Sequence, residues 1–150
     1  MLLEGCRPFL REDAESYVSR RWWTGLTCGD RLDKAADIYP ERLAVVDGQA
    51  RLTYAQVRET ADRLAIALLE LGIKPLERVL LQLPNWHEFA YAYFALQKIG
   101  AIPVLLIHRY RQYEAKHLCR VVKASAWIAP EVWGKVDYRP IIRDVLQDNP

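Results

Sequence analysis

The stretch LTYAQVRETADRLAIALLELGIKPLERVLLQLPN, Leu52 to Asn85, holds one complete helix together with its start and stop signals. Thr53 is a capping residue and Gln56 stands three positions on, the spacing of a capping box. Val57, Ala61, Leu64, Ala65 and Leu68 recur with helical periodicity and form one apolar stripe. Gly72 suits the left-handed position that follows a helix, and Pro75 blocks continuation. RVLLQL (78–83) then runs almost without interruption in apolar residues. A strand of that kind is covered on both faces, as in a parallel sheet.

Working outward, LAVV (43–46) and RLTY (51–54) read as two strands joined at the turn signal Asp47-Gly48. Upstream, Thr27 to Tyr39 reads as a short helix with Leu32, Ala35, Ala36 and Tyr39 on one face, ended by Pro40. Phe9 to Arg21 suggests an irregular helix. Trp22 and Trp23 are expected to anchor an N-terminal arm, 1–26, onto the body through their large apolar area. Downstream, Pro84-Asn85 breaks the strand, and Asn85 is expected to cap the next helix with Glu88 three residues on. Phe89, Tyr93, Leu96 and Ile99 mark that helix's buried face, and Gly100 its end. IPVLLI (102–107) is a second apolar strand, 112–123 a third helix, 125–129 a third short strand, and 138–147 a last helix. Strand–helix–strand–helix–strand with short connections predicts an α/β fold. It is a βαβαβ parallel unit with right-handed crossovers, flanking helices and an N-terminal β-hairpin, over 27–150.

The 150 residues suffice for one domain or part of one. Hydrophobic residues make up 51% and charged residues 27%, a soluble globular profile, and the net charge of +2 points to neither nucleic acid nor an anionic membrane. The three cysteines, Cys6, Cys28 and Cys119, lie far apart, which fits reduced thiols in a cytoplasmic setting. The N-terminus has too short an apolar run for a signal peptide, and no stretch is long enough for a membrane span.

None of the seven glycines falls in a dinucleotide fingerprint or a phosphate-loop arrangement, so the backbone cradle those motifs supply is missing. His108-Arg109-Tyr110-Arg111 follows the second apolar strand at its carboxyl end, where ligands of open α/β sheets bind. A histidine and two arginines there suit a carboxylate or phosphate, or else form a solvated loop. The junction Leu83-Pro84-Asn85-Trp86 could likewise place a ligand at a helix N-terminus. His117 and Cys119 do not share a helix face and read as no metal site. Lys116, Arg120 and Lys123 read as a solvated basic stripe. Only three serines occur, none in a nucleophile motif, and the pair Glu12-Asp13 lies in polar sequence.

LTYAQV (52–57) and LQKIGAIPVLL (96–106) resemble the first two core motifs of the adenylate-forming, AMP-dependent synthetase and ligase superfamily. LAVVDG (43–48) and GIKPLERVLLQLPN (72–85) fall in the matching order, so the resemblance runs from about Trp22 to the end. Within the superfamily, RRWWTGLTCGDRL (20–32), QLPN (82–85), GAIPV (100–104) and His108-Arg109 are most similar to aryl acid–AMP ligases, such as the siderophore-pathway 2,3-dihydroxybenzoate–AMP ligases. That subgroup carries a proline shortly before the His-Arg pair, where this chain has Leu106-Ile107. Fatty-acyl and benzoyl-CoA ligases are the alternative, and a non-catalytic interaction module on the same scaffold is another.

The resemblance implies a reaction in which a carboxylic acid attacks the α-phosphate of ATP, supported by Mg2+. The acyl-adenylate then passes its acyl group to a thiol of CoA or of a carrier protein's phosphopantetheine. The family's phosphate loop, ribose-binding aspartate and C-terminal lysine have no counterpart in these residues. No catalytic, cofactor-binding or metal residue carries over, and no cofactor is expected to bind this chain. Apolar faces that pack on the remainder of the family fold should be exposed here and favour self-association.

Overall fold

The computed structural model describes residues 7–148. The elements run α1 (Arg11–Ser19), α2 (Cys28–Ile38), β1 (Leu43–Val46), β2 (Arg51–Thr53), α3 (Tyr54–Glu70), β3 (Arg78–Leu81) and α4 (His87–Lys98). There follow β4 (Ile102–Leu105), α5 (Gln112–Val122), β5 (Ala126–Ile128), β6 (Val132–Trp133), β7 (Val136–Asp137) and α6 (Arg139–Asp148). β1 and β2 form an antiparallel hairpin. β3 lies between β4 and β5 and pairs parallel with both. The expected βαβαβ unit is present.

The quoted helix forms as its residues dictate. Thr53 Oγ1 accepts from the Gln56 amide, and Gln56 Oε1 accepts from the Thr53 amide at 2.9 Å. Val57, Ala61, Ala65 and Leu68 are buried, and Gly72 ends the helix at φ +91°. Such a left-handed backbone costs glycine little. α2 carries a second capping box, between Thr27 and Asp30, which holds the Asp30 carboxyl below the usual carboxylate range.

β3 organises the core because its successive side chains face opposite sides. Val79 joins Ala65 and Leu68 of α3 and Ala95 and Leu96 of α4. Leu80 joins Leu106, Ala115, Cys119 and Val145 beneath α5 and α6. Double coverage explains the continuous apolar run. A third cluster, around Leu32, Val57 and Ala61, seats the β1–β2 hairpin on α2 and α3.

α2, α3 and α4 are also tied by charge. The Lys98 ammonium of α4 lies 2.5 Å from Asp33 of α2 and also contacts Asp62 of α3. Burial lowers its pKa, but the two carboxylates outweigh burial and raise it. Gly29 makes room for this side chain, since a Cβ there would meet Lys98 Cγ at 2.9 Å.

Several expectations change. Asn85 does not cap α4: the helix starts at His87, its N-cap is Trp86, and that residue gives no side-chain cap. Tyr39 is exposed because it follows the end of α2 with φ −133°, which carries it off the apolar stripe. Trp22 and Trp23 find their ring partners inside the arm, with Trp23 5.1 Å from Tyr17 and 4.9 Å from Phe9, and Trp22 remains mostly exposed. The β6–β7 hairpin, turning at Gly134, was not expected, because its strands are too short to show alternation. The basic stripe is only partly solvated: Lys116 reaches Asp144 at 3.0 Å and Asp148 at 2.9 Å on α6. Cys28 is exposed and Cys119 buried, whereas Cys6 lies outside the described residues. Among the described residues no helix is long and apolar enough to cross a membrane.

Candidate functional site

The carboxyl ends of the three parallel strands bring together segments distant in sequence. Just past β3, the Gln82 amide continues the ladder, donating to Ile128 O at 2.9 Å. The side chain is buried, and Nε2 donates to Ile107 O at 3.0 Å and Tyr110 O at 3.1 Å. Tyr138, fully buried, donates its hydroxyl to His108 O. Arg111 Nη1 donates to His108 O at 3.0 Å and Tyr110 O at 2.8 Å, and the guanidinium lies 5.7 Å from the centre of the Tyr138 ring. The loop after β4 is thus clamped by three side chains.

This placement divides the candidate His108-Arg109-Tyr110-Arg111. Arg111 is an internal strut whose donors serve carbonyls, and its amide donates to Glu114 at the start of α5. Arg109 is exposed. The His108 ring faces Trp133 edge-on at 6.5 Å, and Trp133 meets Trp86 at 5.0 Å. An aromatic row, Trp86–Trp133–His108, therefore crosses the carboxyl edge of the sheet. Gln82 Oε1 and Trp86 Nε1 are buried without a hydrogen-bond partner among the described residues. The row offers a flat π surface and an imidazole, while of the two arginine charges expected of this loop Arg111 is turned inward and Arg109 is exposed.

A second cluster lies where the hairpin turn meets α4. Asp47 Oδ1 accepts from the Gln49 amide at 2.8 Å and the Ala50 amide at 2.7 Å. Its Oδ2 accepts from the His87 amide at 2.7 Å and faces His87 Nδ1 at 2.7 Å. Glu88 Oε1 lies 3.3 Å from His87 Nε2. The Asp47 carboxyl is held far below the usual carboxylate range, chiefly by the Gln49 amide, then by the His87 ring and the Ala50 amide. One imidazole and two carboxylates are a donor set that metals accept, and their ligand atoms lie within 4.8 Å of one another. Both Asp47 oxygens, however, already serve the turn and the helix start. The cluster is a structural knot in which Asp47 caps α4 in place of Asn85.

The pairing of Asp47 with His87 leaves no signal in the sequence, although the Asp-Gly turn located one half of it. His117 and Cys119 stay apart as expected, the first exposed and the second in the core. An apolar groove of about 460 Å³ opens between α2, the hairpin and α4, lined in part by Leu32, Val57 and Phe94. No periodicity announced it.

The sequence profile described as AMP-binding enzyme matches residues 32–149. The chain belongs to the AMP-binding enzyme family. Among curated relatives of this family, it is 42% identical to salicyl-AMP ligase / salicyl-S-ArCP synthetase of Mycobacterium tuberculosis, over 99% of this chain and 27% of that protein. It is 37% identical to the 2,3-dihydroxybenzoate-AMP ligase of Bacillus subtilis, over 99% of this chain and 28% of that protein. Among solved structures, apo MbtA of Mycobacterium smegmatis superposes with a TM-score of 0.89 at 36% identity, covering 97% of this chain and 27% of that one. The chain therefore spans about a quarter of the length of these relatives.

Proposed function

We propose that this chain is the N-terminal part of an ATP-dependent aryl acid–AMP ligase, which activates a carboxylic acid as its acyl-adenylate for transfer to a thiol. One observation carries the reading: identity of 42% to a salicyl-AMP ligase extends over 99% of the chain. The β1–β2 hairpin, the capped α3 and the parallel β3–β4 pair are the elements on which LTYAQV and GAIPV sit. Residues 1–26 act as an arm and 27–150 as the opening part of the catalytic α/β domain, in a cytoplasmic enzyme. ATP and Mg2+ are held by parts of the longer protein beyond these elements. CoA or a carrier-protein thiol receives the acyl group.

ATP–pyrophosphate exchange tests this with salicylate, 2,3-dihydroxybenzoate, benzoate and decanoate. The 150-residue chain alone gives no exchange. A longer reading frame that continues past Pro150 gives exchange with the aryl acids. Robust turnover by the short chain would overturn its inactivity, and a longer protein inert toward every acid would overturn the ligase reading. Exchange with decanoate alone would favour a fatty-acyl ligase.

The surface supports a partial unit. Leu105, Ile107, Val132 and Trp133 are large, apolar and at least two-fifths exposed, and β4 and β5 each leave one edge open among the described strands. Open edges and apolar patches associate. In size exclusion with light scattering, the short chain shows a mass that rises with concentration, and Ile107→Lys lowers it. A strictly monomeric species at high concentration would contradict the expectation.

A further inference from the structure

The knot of Asp47, His87 and Glu88 uses only one side of its imidazole. Asp47 accepts three backbone amides, from Gln49, Ala50 and His87, and its carboxylate is the acceptor toward His87 Nδ1 as well, at 2.7 Å. That hydrogen bond assigns the ring proton to Nδ1 and leaves the lone pair of the neutral ring on Nε2. Nε2 faces Glu88 Oε1 at 3.3 Å, and Glu88 Oε2 is buried without a hydrogen-bond partner among the described residues. Two acceptors thus face each other, an arrangement that is favourable only with a positive centre between them.

The spacing selects the kind of cation. Zn2+ takes an imidazole nitrogen at about 2.0–2.1 Å and a carboxylate oxygen at about 2.0–2.2 Å, and tetrahedral angles then set those two atoms about 3.3–3.5 Å apart. The observed separation of 3.3 Å meets this. Mg2+ and Ca2+ take oxygen ligands and gain nothing from the ring. A carboxylate on the far nitrogen is the usual support of a metal-bound histidine, and Asp47 supplies it. The His87 and Glu88 side chains are 19% and 36% exposed, so the ring is held in place while solvent reaches the glutamate. The two carboxylates also offset the positive end of α4, which alone would repel a cation.

We propose that His87 Nε2 and the Glu88 carboxylate hold a Zn2+ ion, with Asp47 orienting the ring from behind and water completing the coordination. The site lies wholly within this chain, where the β1–β2 turn meets α4. It is distinct from the Mg2+ that accompanies ATP, and it does not depend on the ligase reading, because binding requires neither ATP nor catalysis.

Nitrogen chemical shifts of the histidine rings test it, recorded on the 150-residue chain at about pH 7.5, above the ordinary histidine value of about 6.5. Without metal, His87 carries its ring hydrogen on Nδ1 alone. Zn2+ shifts His87 Nε2 saturably, whereas the rings of His108 and His117 are unchanged and Mg2+ has no effect. Each ring reports its own position, so zinc held elsewhere, by the exposed Cys28 thiol for example, is read separately. Glu88→Gln weakens the ion about tenfold or more, and His87→Ala abolishes binding. If the alanine variant does not fold, Glu88→Gln, at a partly exposed position, still decides. No shift of His87 at millimolar Zn2+, an equal response to Mg2+, or unchanged affinity in Glu88→Gln would overturn the proposal. Hydrogens on both ring nitrogens of His87 in the metal-free chain would do so too, since a proton would then already bridge the two carboxylates.

Discussion

Leu80→Ala is expected to cost about 3 kcal/mol, the typical loss when a buried leucine leaves a cavity that its surroundings only partly refill. Leu80 is fully buried at the centre of β3, between Leu106 of the next strand's end and Ala115, Cys119 and Val145 of the covering helices. A domain of this size is stabilised by only about 5–15 kcal/mol, so the variant should unfold at markedly lower urea. Leu105→Ala is the control. That residue is in the neighbouring strand but half exposed, and its truncation should change stability by less than about 0.5 kcal/mol. Equal midpoints for the two variants would show that α5 and α6 do not cover the sheet.

The second large effect concerns Asp47, whose carboxylate joins the hairpin turn to the start of α4. Asp47→Ala removes acceptors for three backbone amides and one ring nitrogen, and should lower Tm by roughly 5 °C or more. The same residue sets an acid limb. Its pKa is depressed in the folded chain, so its stabilisation is complete above the unfolded carboxylate value of about 3.9 and is lost as pH falls below it. Wild-type Tm should therefore drop more steeply than that of Asp47→Ala between neutral pH and about pH 3. Asp47→Asn keeps an acceptor without the charge and should fall between them at neutral pH. Parallel Tm-against-pH curves for wild type and alanine variant would remove the carboxylate from this role.

Much of the fold was legible because its signals are local. The caps at Thr53 and Gln56, the stripe from Val57 to Leu68 and the stop at Gly72 all act within a few residues, and each appears where the spacing put it. The parallel sheet was legible because RVLLQL lacks the alternation of a half-exposed strand. Asn85 failed as a cap for a physical reason: a tertiary acceptor, Asp47, took the amide of His87 and moved the helix start. At the candidate ligand loop, residue types alone suggested an anion site. Arg111 nevertheless points its donors at the loop's own carbonyls and lies against the ring of Tyr138.

The sequence by itself determined the order of helices and strands, the parallel pairing and the family, since periodicity, caps and ordered motifs are properties of contiguous residues. Only the tertiary structure decided which distant side chains meet. Asp47 reaches His87, 40 positions away, and Lys98 joins Asp33, 65 positions away. The groove beside Arg31 exists only once α2, the hairpin and α4 are packed. Such meetings depend on how helices seat on a sheet, and no local spacing encodes them.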